Sequence, residues 1–242
     1  MTIKFLTYGD QAFKNSRVRI KKEAEAMGYF DEIVVHTEET IKDIPEFQEA
    51  QKNEEFNEVF ASKRGGGYWM WKPLVIYHEL KKMKDGDKLY YADAGCSIIN
   101  NQVTMNRLRE AATVVGPLGL GAETGVYVFR NTCNERHWTK GDIFNHFGVL
   151  NDADIYNTRQ FTANRSVIRK HAKSMSIVKL WWNTASEYPH LFSDQESKVE
   201  NLPGFRENRH DQSIWSVICK KHKIAQNFEW HNQAFLKSGI RG

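Results

Sequence analysis

The stretch KLYYADAGCSI, residues 88–98, decides how this chain is read. Leu89, Tyr90, Tyr91 and Ala92 form an apolar, aromatic run of the kind found in a buried strand. The run stops at Asp93, and two very small residues, Ala94 and Gly95, follow it directly. Two readings fit. Asp and Gly are ordinary strand terminators, so the stretch is a turn. Alternatively, a carboxylate at the C-terminal end of a strand in an α/β sheet sits where ligands bind.

Working outward, IKFLTY (3–8) predicts a strand ended by Gly9 and Asp10. SRVRIKKEAEAM (16–27) predicts a charged helix stopped by Gly28, and EIVVHT (32–37) a second strand. A strand, a helix and a strand in forty residues imply a βαβ unit and a mixed or parallel sheet. A polar helical stretch is expected over 44–60. Pro73 suits the first turn of a helix in which Ile76, Tyr77, Leu80 and Met83 recur at helical spacing. Further helices are expected over 103–112, KGDIFNHFGV (140–149), IVKLWWNTASEY (177–188) and HDQSIWSVICKKH (210–222), with a strand at GVYVFR (125–130). There is no internal repeat, low-complexity tract or evident linker, so one α/β domain over residues 1–242 is the expectation.

Composition narrows the function classes. With 242 residues and 40% apolar content the chain can bury a real core. The net charge of +4 is mild and no Lys/Arg block occurs, which argues against a dedicated nucleic-acid binder. Cys96, Cys133 and Cys219 are odd in number and widely spaced, against a disulfide framework or a zinc cluster and in keeping with a reducing compartment. The first apolar run is too short for a signal peptide, and no later segment is long and apolar enough to span a bilayer. The expected location is cytoplasmic.

Three stretches can carry chemistry. SKRGGGYWMWKP (62–73) holds three consecutive glycines, which permit close approach and unusual dihedrals but form neither a P-loop nor a GxGxxG turn. If extended, Trp69 and Trp71 point to opposite faces. Either tryptophan is a plain apolar anchor or a stacking surface, and Arg64 and Lys72 could meet phosphates. Asp93 is the second. RENRHDQS (206–213) is the third: Arg209, His210 and Asp211 fall at a helix N-terminus, where the dipole favours an ionised Asp211 and a neutral imidazole can ligate a Mn²⁺-class metal. The alternative reading gives Asp211 only the first helical turn to stabilise and His210 a purely structural role. No HExxH pair is present, which argues against a zinc hydrolase.

Together, GGGYWMWKP, GDKLYYADAGCSI and RHDQS resemble GT-A-fold glycosyltransferases of the capsular-polysaccharide type, known from bacteria and large DNA viruses. The resemblance implies a three-layer α/β/α fold with a central mixed, mostly parallel sheet. It implies a donor-binding part over about 1–100 and an acceptor part over about 101–242. It further implies a nucleotide-sugar donor, commonly UDP-linked, a divalent metal (Mn²⁺ or Mg²⁺) and a glycan acceptor. Carried over by position, Thr7, Tyr8 and Asp10 line the nucleotide pocket, with Arg64, Trp71 and Lys72 near the donor. Asp93 opens a DxD-like element, His210 is a metal or phosphate ligand, and Asp211 faces the transferred sugar. Gln160 and Arg165 fall where acceptor contacts are expected. One departure matters: the second DxD carboxylate is replaced by Gly95. Metal then rests on Asp93 and His210, or charge is supplied by Arg64 or Lys72 instead. Two rival readings are a sugar-phosphate nucleotidyltransferase, whose early Gly-rich loop is not found here, and a catalytically silent carbohydrate-binding protein using the seven tryptophans.

Overall fold

A computed structural model describes residues 1–227 and 236–237. In chain order its strands are β1 (Ile3–Tyr8), β2 (Glu32–His36), β3 (Lys88–Ala92), β4 (Cys96–Ser97), β5 (Val126–Asn134), β6 (Arg159–Phe161), β7 (Arg165–Arg169), β8 (Ala225–Asn227) and β9 (Leu236–Lys237). The helices are α1 (Lys14–Met27), α2 (Pro45–Ala50), α3 (Glu54–Phe60), α4 (Gly65–Tyr68), α5 (Trp71–Lys82), α6 (Gln102–Val114), α7 (Glu135–Trp138), α8 (Gly141–His146), α9 (Ala153–Tyr156), α10 (Ala172–Glu187) and α11 (Asp211–Lys221). Seven strands form the main sheet in the order β2-β1-β3-β7-β5-β6, with β8 also on β5. β1 pairs parallel with β2 and β3, and β7 lies antiparallel between β3 and β5. β5 therefore runs with β3, and β8 runs with β5. Only β6 and β7 oppose the common direction, so the sheet is mixed and mostly parallel.

Strand alternation sorts the core onto two faces. Leu6, Leu89, Tyr91, Val126 and Val128 pack against α5, α10 and α11, where Trp181 and Trp215 stack with ring centroids 4.4 Å apart. Phe5, Tyr90, Ala92, Tyr127 and Val167 pack against Ile20 and Ala24 of α1 and Leu108 and Ala111 of α6. These are the three α/β/α layers. The alternation also aims the chemistry. Asp93 follows Ala92, so it leaves β3 toward the α5/α11 side, as Leu89 and Tyr91 do.

Boundaries follow local chemistry. α1 begins at Lys14, ahead of the expected start, and ends at Gly28, whose φ of 58° is the left-handed C-cap. The expected helix over 44–60 is two, because Asn53 caps the second by accepting from Glu55 N and Phe56 N. α10 begins at Ala172, well before 177, on a reciprocal cap between His171 and Ser174. The short strands β6 and β7 were not expected from the sequence. Among the described residues no helix is long and apolar enough to cross a membrane.

Beside the β1–β2–β3 end of the sheet, Glu79 of α5 is 2% exposed and accepts from Lys4 Nζ (2.8 Å), His36 Nε2 (3.1 Å) and Lys82 Nζ (2.9 Å). Burial raises its pKa, but hydrogen bonds from His36, Lys4 and Lys82 outweigh that and hold it well below the usual carboxylate range. A group depressed in this way stabilises the fold fully above the ordinary carboxylate pKa of about 4, and that stabilisation is lost as pH falls further. Glu79→Gln should cost about 1–3 kcal/mol at pH 7, since buried Lys4 then keeps only its pairing with half-exposed Glu32. It should also remove part of the acid-induced loss of stability, which urea titrations across pH 3–7 would read out. A variant as stable as wild type would refute the assignment.

Candidate active site at the strand ends

Asp93 sits where β3 ends, and its backbone is fixed on both sides. Its N–H donates to Asn164 O (2.9 Å), and Cys96 N–H donates back to Asp93 O (2.8 Å), closing a tight turn over Ala94 and Gly95. Arg19 of α1 clamps that turn by donating to Ala94 O (3.1 Å), Cys96 O (2.9 Å) and Ser97 Oγ (2.7 Å). The stretch is a turn, and that turn presents the carboxylate at the strand end. A Cβ on Gly95 would meet nothing within 4 Å, so space stays open where the second carboxylate of a DxD element would stand.

The carboxylate is not alone. Tyr91 O–H donates to Asp93 Oδ1 (2.5 Å), and Lys72 Nζ lies 3.2 Å from the same oxygen and 2.6 Å from Asp211 Oδ2. Lys72 is 2% exposed. Its ammonium is shared by two carboxylates, which raise its pKa against the opposing effect of burial. It is therefore neutralised in place, unlike the free phosphate ligand considered from sequence. Asp211 departs from expectation as well. Burial pushes it up to about 6, with Asp93 adding to the rise and Lys72 opposing it, so desolvation outweighs the helix dipole.

A left-handed turn walls this cluster. Gly65, Gly66, Gly67, Tyr68 and Trp69 all have positive φ (60°, 58°, 91°, 50° and 58°). L-residues lose roughly 1–2 kcal/mol each in this conformation, which explains the three glycines but leaves Tyr68 and Trp69 strained. Gly67 has a second constraint, since a Cβ there would lie 2.8 Å from Phe60 O. Long-range contacts hold the turn. Trp71 Nε1–H donates to Gly65 O (2.9 Å), and its indole stacks on Tyr8 at 3.9 Å. Trp69 stacks on the imidazole of His210 (5.2 Å, 26°) and Tyr68 packs against the same ring. The segment is a left-handed turn leading into α5 and not an extended strand, so the opposite-face expectation for Trp69 and Trp71 does not apply.

His210 is itself strained, with φ 52° and ψ −122° just before α11. Its Nδ1 lies 2.7 Å from Phe192 O, a pure acceptor, so Nδ1 carries the proton. Nε2 is buried with no hydrogen-bond partner, and Asp194 Oδ1 lies 3.8 Å from it. Burial lowers the His210 pKa, which keeps the ring neutral. A neutral, unpartnered imidazole nitrogen fits a divalent cation. Asp93 fits less fully, as its carboxylate already meets Tyr91 and Lys72, and among the described residues no three His, Cys, Asp or Glu gather at metal-binding range.

The remaining candidates divide. Asp10 caps the turn after β1 by accepting from Phe13 N, and its Oδ2 lies 3.3 Å from where a Cβ on Gly66 would be. Thr7 is fully buried, and its Oγ1 has no hydrogen-bond partner. Arg64 stands at the exposed rim in an ion pair with Asp194 (2.9 Å). Gln160 is fully buried, with Nε2 donating to Glu135 Oε1 (2.9 Å) and Thr139 Oγ1 (3.0 Å) and Oε1 accepting from Gln212 (2.9 Å). Its amide is committed to fixing the start of α11 and has no group left for an acceptor. Arg165 pairs across from Ala92 in the sheet and lies 4.6 Å over the Phe129 ring, on the face opposite Asp93. Asp194, absent from the sequence reading, carries no local signal: it lies between Ser193 and Gln195 in a plain polar loop.

No family model and no curated protein matches the chain. Among solved structures it is similar to a glycosyltransferase involved in the glycosylation of the major capsid of PBCV-1, with 12% identity over 78% of this chain and 69% of that one and a TM-score of 0.40. Mouse xyloside xylosyltransferase 1 gives 12% identity over 94% and 84%, with a TM-score of 0.45. The galactosyltransferase LgtC, in complex with donor and acceptor sugar analogues, gives 13% over 89% and 70%, with 0.40. Likeness this distant assigns no role to any residue.

Because Asp211 titrates near 6 in the fold and about 3.9 unfolded, the folded state binds more protons between those values. Stability should fall by up to about 3 kcal/mol as pH rises from about 4 to 6. Asp211→Asn should flatten that slope, whereas Lys72→Met should cost about 3–5 kcal/mol at neutral pH by leaving two carboxylates unopposed. An Asp211→Asn profile with the wild-type slope would count against the buried triad.

Proposed function

We propose that this chain is a GT-A-type glycosyltransferase that moves a sugar from a nucleotide sugar, UDP-linked in the first instance, to a hydroxyl of a glycan acceptor. One observation carries the reading: two carboxylates from distant parts of the sequence, Asp93 and Asp211, converge on a buried Lys72 at the C-terminal ends of parallel strands. Beside them stand a strained aromatic turn and an unpartnered imidazole nitrogen. Strain and a perturbed carboxyl cluster at functional sites more often than in plain core. The motifs GGGYWMWKP, ADAG and RHDQS that resemble the family supply the residues of this one cluster.

On this reading the donor's nucleotide lies along the edge formed by Thr7, Tyr8 and Asp10, with the Tyr8–Trp71 stack as its apolar wall. A divalent cation such as Mn²⁺ or Mg²⁺ would be held at His210 and would supply positive charge to the departing diphosphate. Lys72 keeps the two carboxylates together and orients Asp93, with Tyr91 O–H fixing the same oxygen. Asp211 faces the transferred sugar. With its pKa raised to about 6 it is a stronger base than an ordinary carboxylate, suited to taking a hydroxyl proton near neutrality. Gln160 and Glu135 hold the start of α11 so that Asp211 keeps its position.

Asp93→Asn keeps the size and the Tyr91 contact, so its melting temperature should stay near wild type. UDP release from UDP-sugars in the presence of Mn²⁺ should drop by about 10²–10³-fold, the usual loss when a charge-stabilising group is removed. Unchanged turnover in that variant would overturn the assignment of Asp93.

A further inference from the structure

Asp194 stands beside the site without belonging to any motif in it. The loop that carries it is pinned on both sides. Lys140, 2% exposed, donates to His190 O (2.6 Å), Ser193 O (3.4 Å) and Gln195 O (3.4 Å). Asn208 donates to Leu191 O (3.0 Å) and Ser193 O (3.4 Å), and Phe192 O receives the His210 Nδ1 proton. Asp194 is thus delivered to one place, although its side chain is 42% exposed.

What it faces is unusual. Arg64 takes Oδ2 at 2.9 Å, while Oδ1 looks at His210 Nε2 across 3.8 Å. Nδ1 holds the ring's proton, so Nε2 presents a lone pair. Two acceptors therefore confront each other at a separation too long for a hydrogen bond, and Nε2 sits in a side chain only 3% exposed. Metal bonds of about 2.0–2.2 Å to nitrogen and carboxylate oxygen place two ligand atoms roughly 3–4 Å apart. A divalent cation between them satisfies both.

We propose that Asp194 and His210 together form a divalent-cation site, with Asp194 and not Asp93 as its carboxylate ligand. Asp93 is already shared between Tyr91 and Lys72, so the additional charge comes from the loop before α11. The exposed Arg64–Asp194 pair holds that carboxylate in the absence of the ion and opens at little cost, as exposed pairs do. Two protein ligands bind an ion weakly, and the rest of the shell falls to water and to the donor's diphosphate. For that last element the proposal rests on the glycosyltransferase reading.

The test is Mn²⁺ uptake by the full chain, read from the EPR signal of free Mn²⁺, with the ion alone and with UDP added. Wild type should bind weakly alone and at least tenfold tighter with UDP. Asp194→Asn should weaken Mn²⁺ binding by tenfold or more in both arms, and Arg64→Met, which releases the carboxylate, should tighten binding of the ion alone severalfold. Equal affinity of Asp194→Asn and wild type, no tightening in Arg64→Met, or no Mn²⁺ uptake by wild type in either arm would each overturn the proposal. Weakening by Asp194→Asn without any effect of UDP would support the cation site while counting against a UDP-sugar donor, so the two readings fail separately.

Discussion

Lys72 lies between Asp93 and Asp211, three charges withdrawn from water where strand ends meet helix starts. Each carboxylate repels the other, and only the shared ammonium makes their approach tolerable. The geometry of the neighbourhood follows from that. Asp211 can be the first residue of α11 and still point inward because Lys72 meets it, and Asp93 can leave a buried strand ionised for the same reason. The cluster carries one more negative than positive charge, and the unpartnered Nε2 of His210 stands beside it.

Much of this was legible in the sequence. The unalternating run LYYA reads as a buried strand, and the layers it fills follow from parity: odd positions toward α5 and α11, even ones toward α1 and α6. Asp93, His210 and Asp211 stood out because charged residues at the end of an apolar run or the start of a helix need a reason. The glycines before Trp69 announced unusual dihedrals. β6 and β7 escaped because three to five residues rich in Arg, Ser and Gln carry no periodicity, and only pairing with β5 and β3 makes them strands.

Other features belong to the tertiary level alone. Nothing local says that Asp211 would be pushed upward, since the helix dipole and desolvation act in opposite directions and burial decides between them. Gln160 falls among the acceptor contacts by its position in the family resemblance alone; its bonding is visible only once Glu135, Thr139 and Gln212 surround it. Asp194 is far from both motifs in sequence, and only the folded chain sets it against His210.

The left-handed turn at Gly65–Trp69 has a consequence for the order in which the molecule assembles. Its dihedrals have no local drive, and the contact that rewards Trp69 comes from His210, far along the chain. Early in folding the segment gains nothing by adopting its final hand. The sheet with α1, α5, α6 and α10 can form first, and the aromatic wall closes only when α11 docks on it. The wall around Asp93 and Asp211 is then the last part of the molecule to become native and the first to loosen under stress.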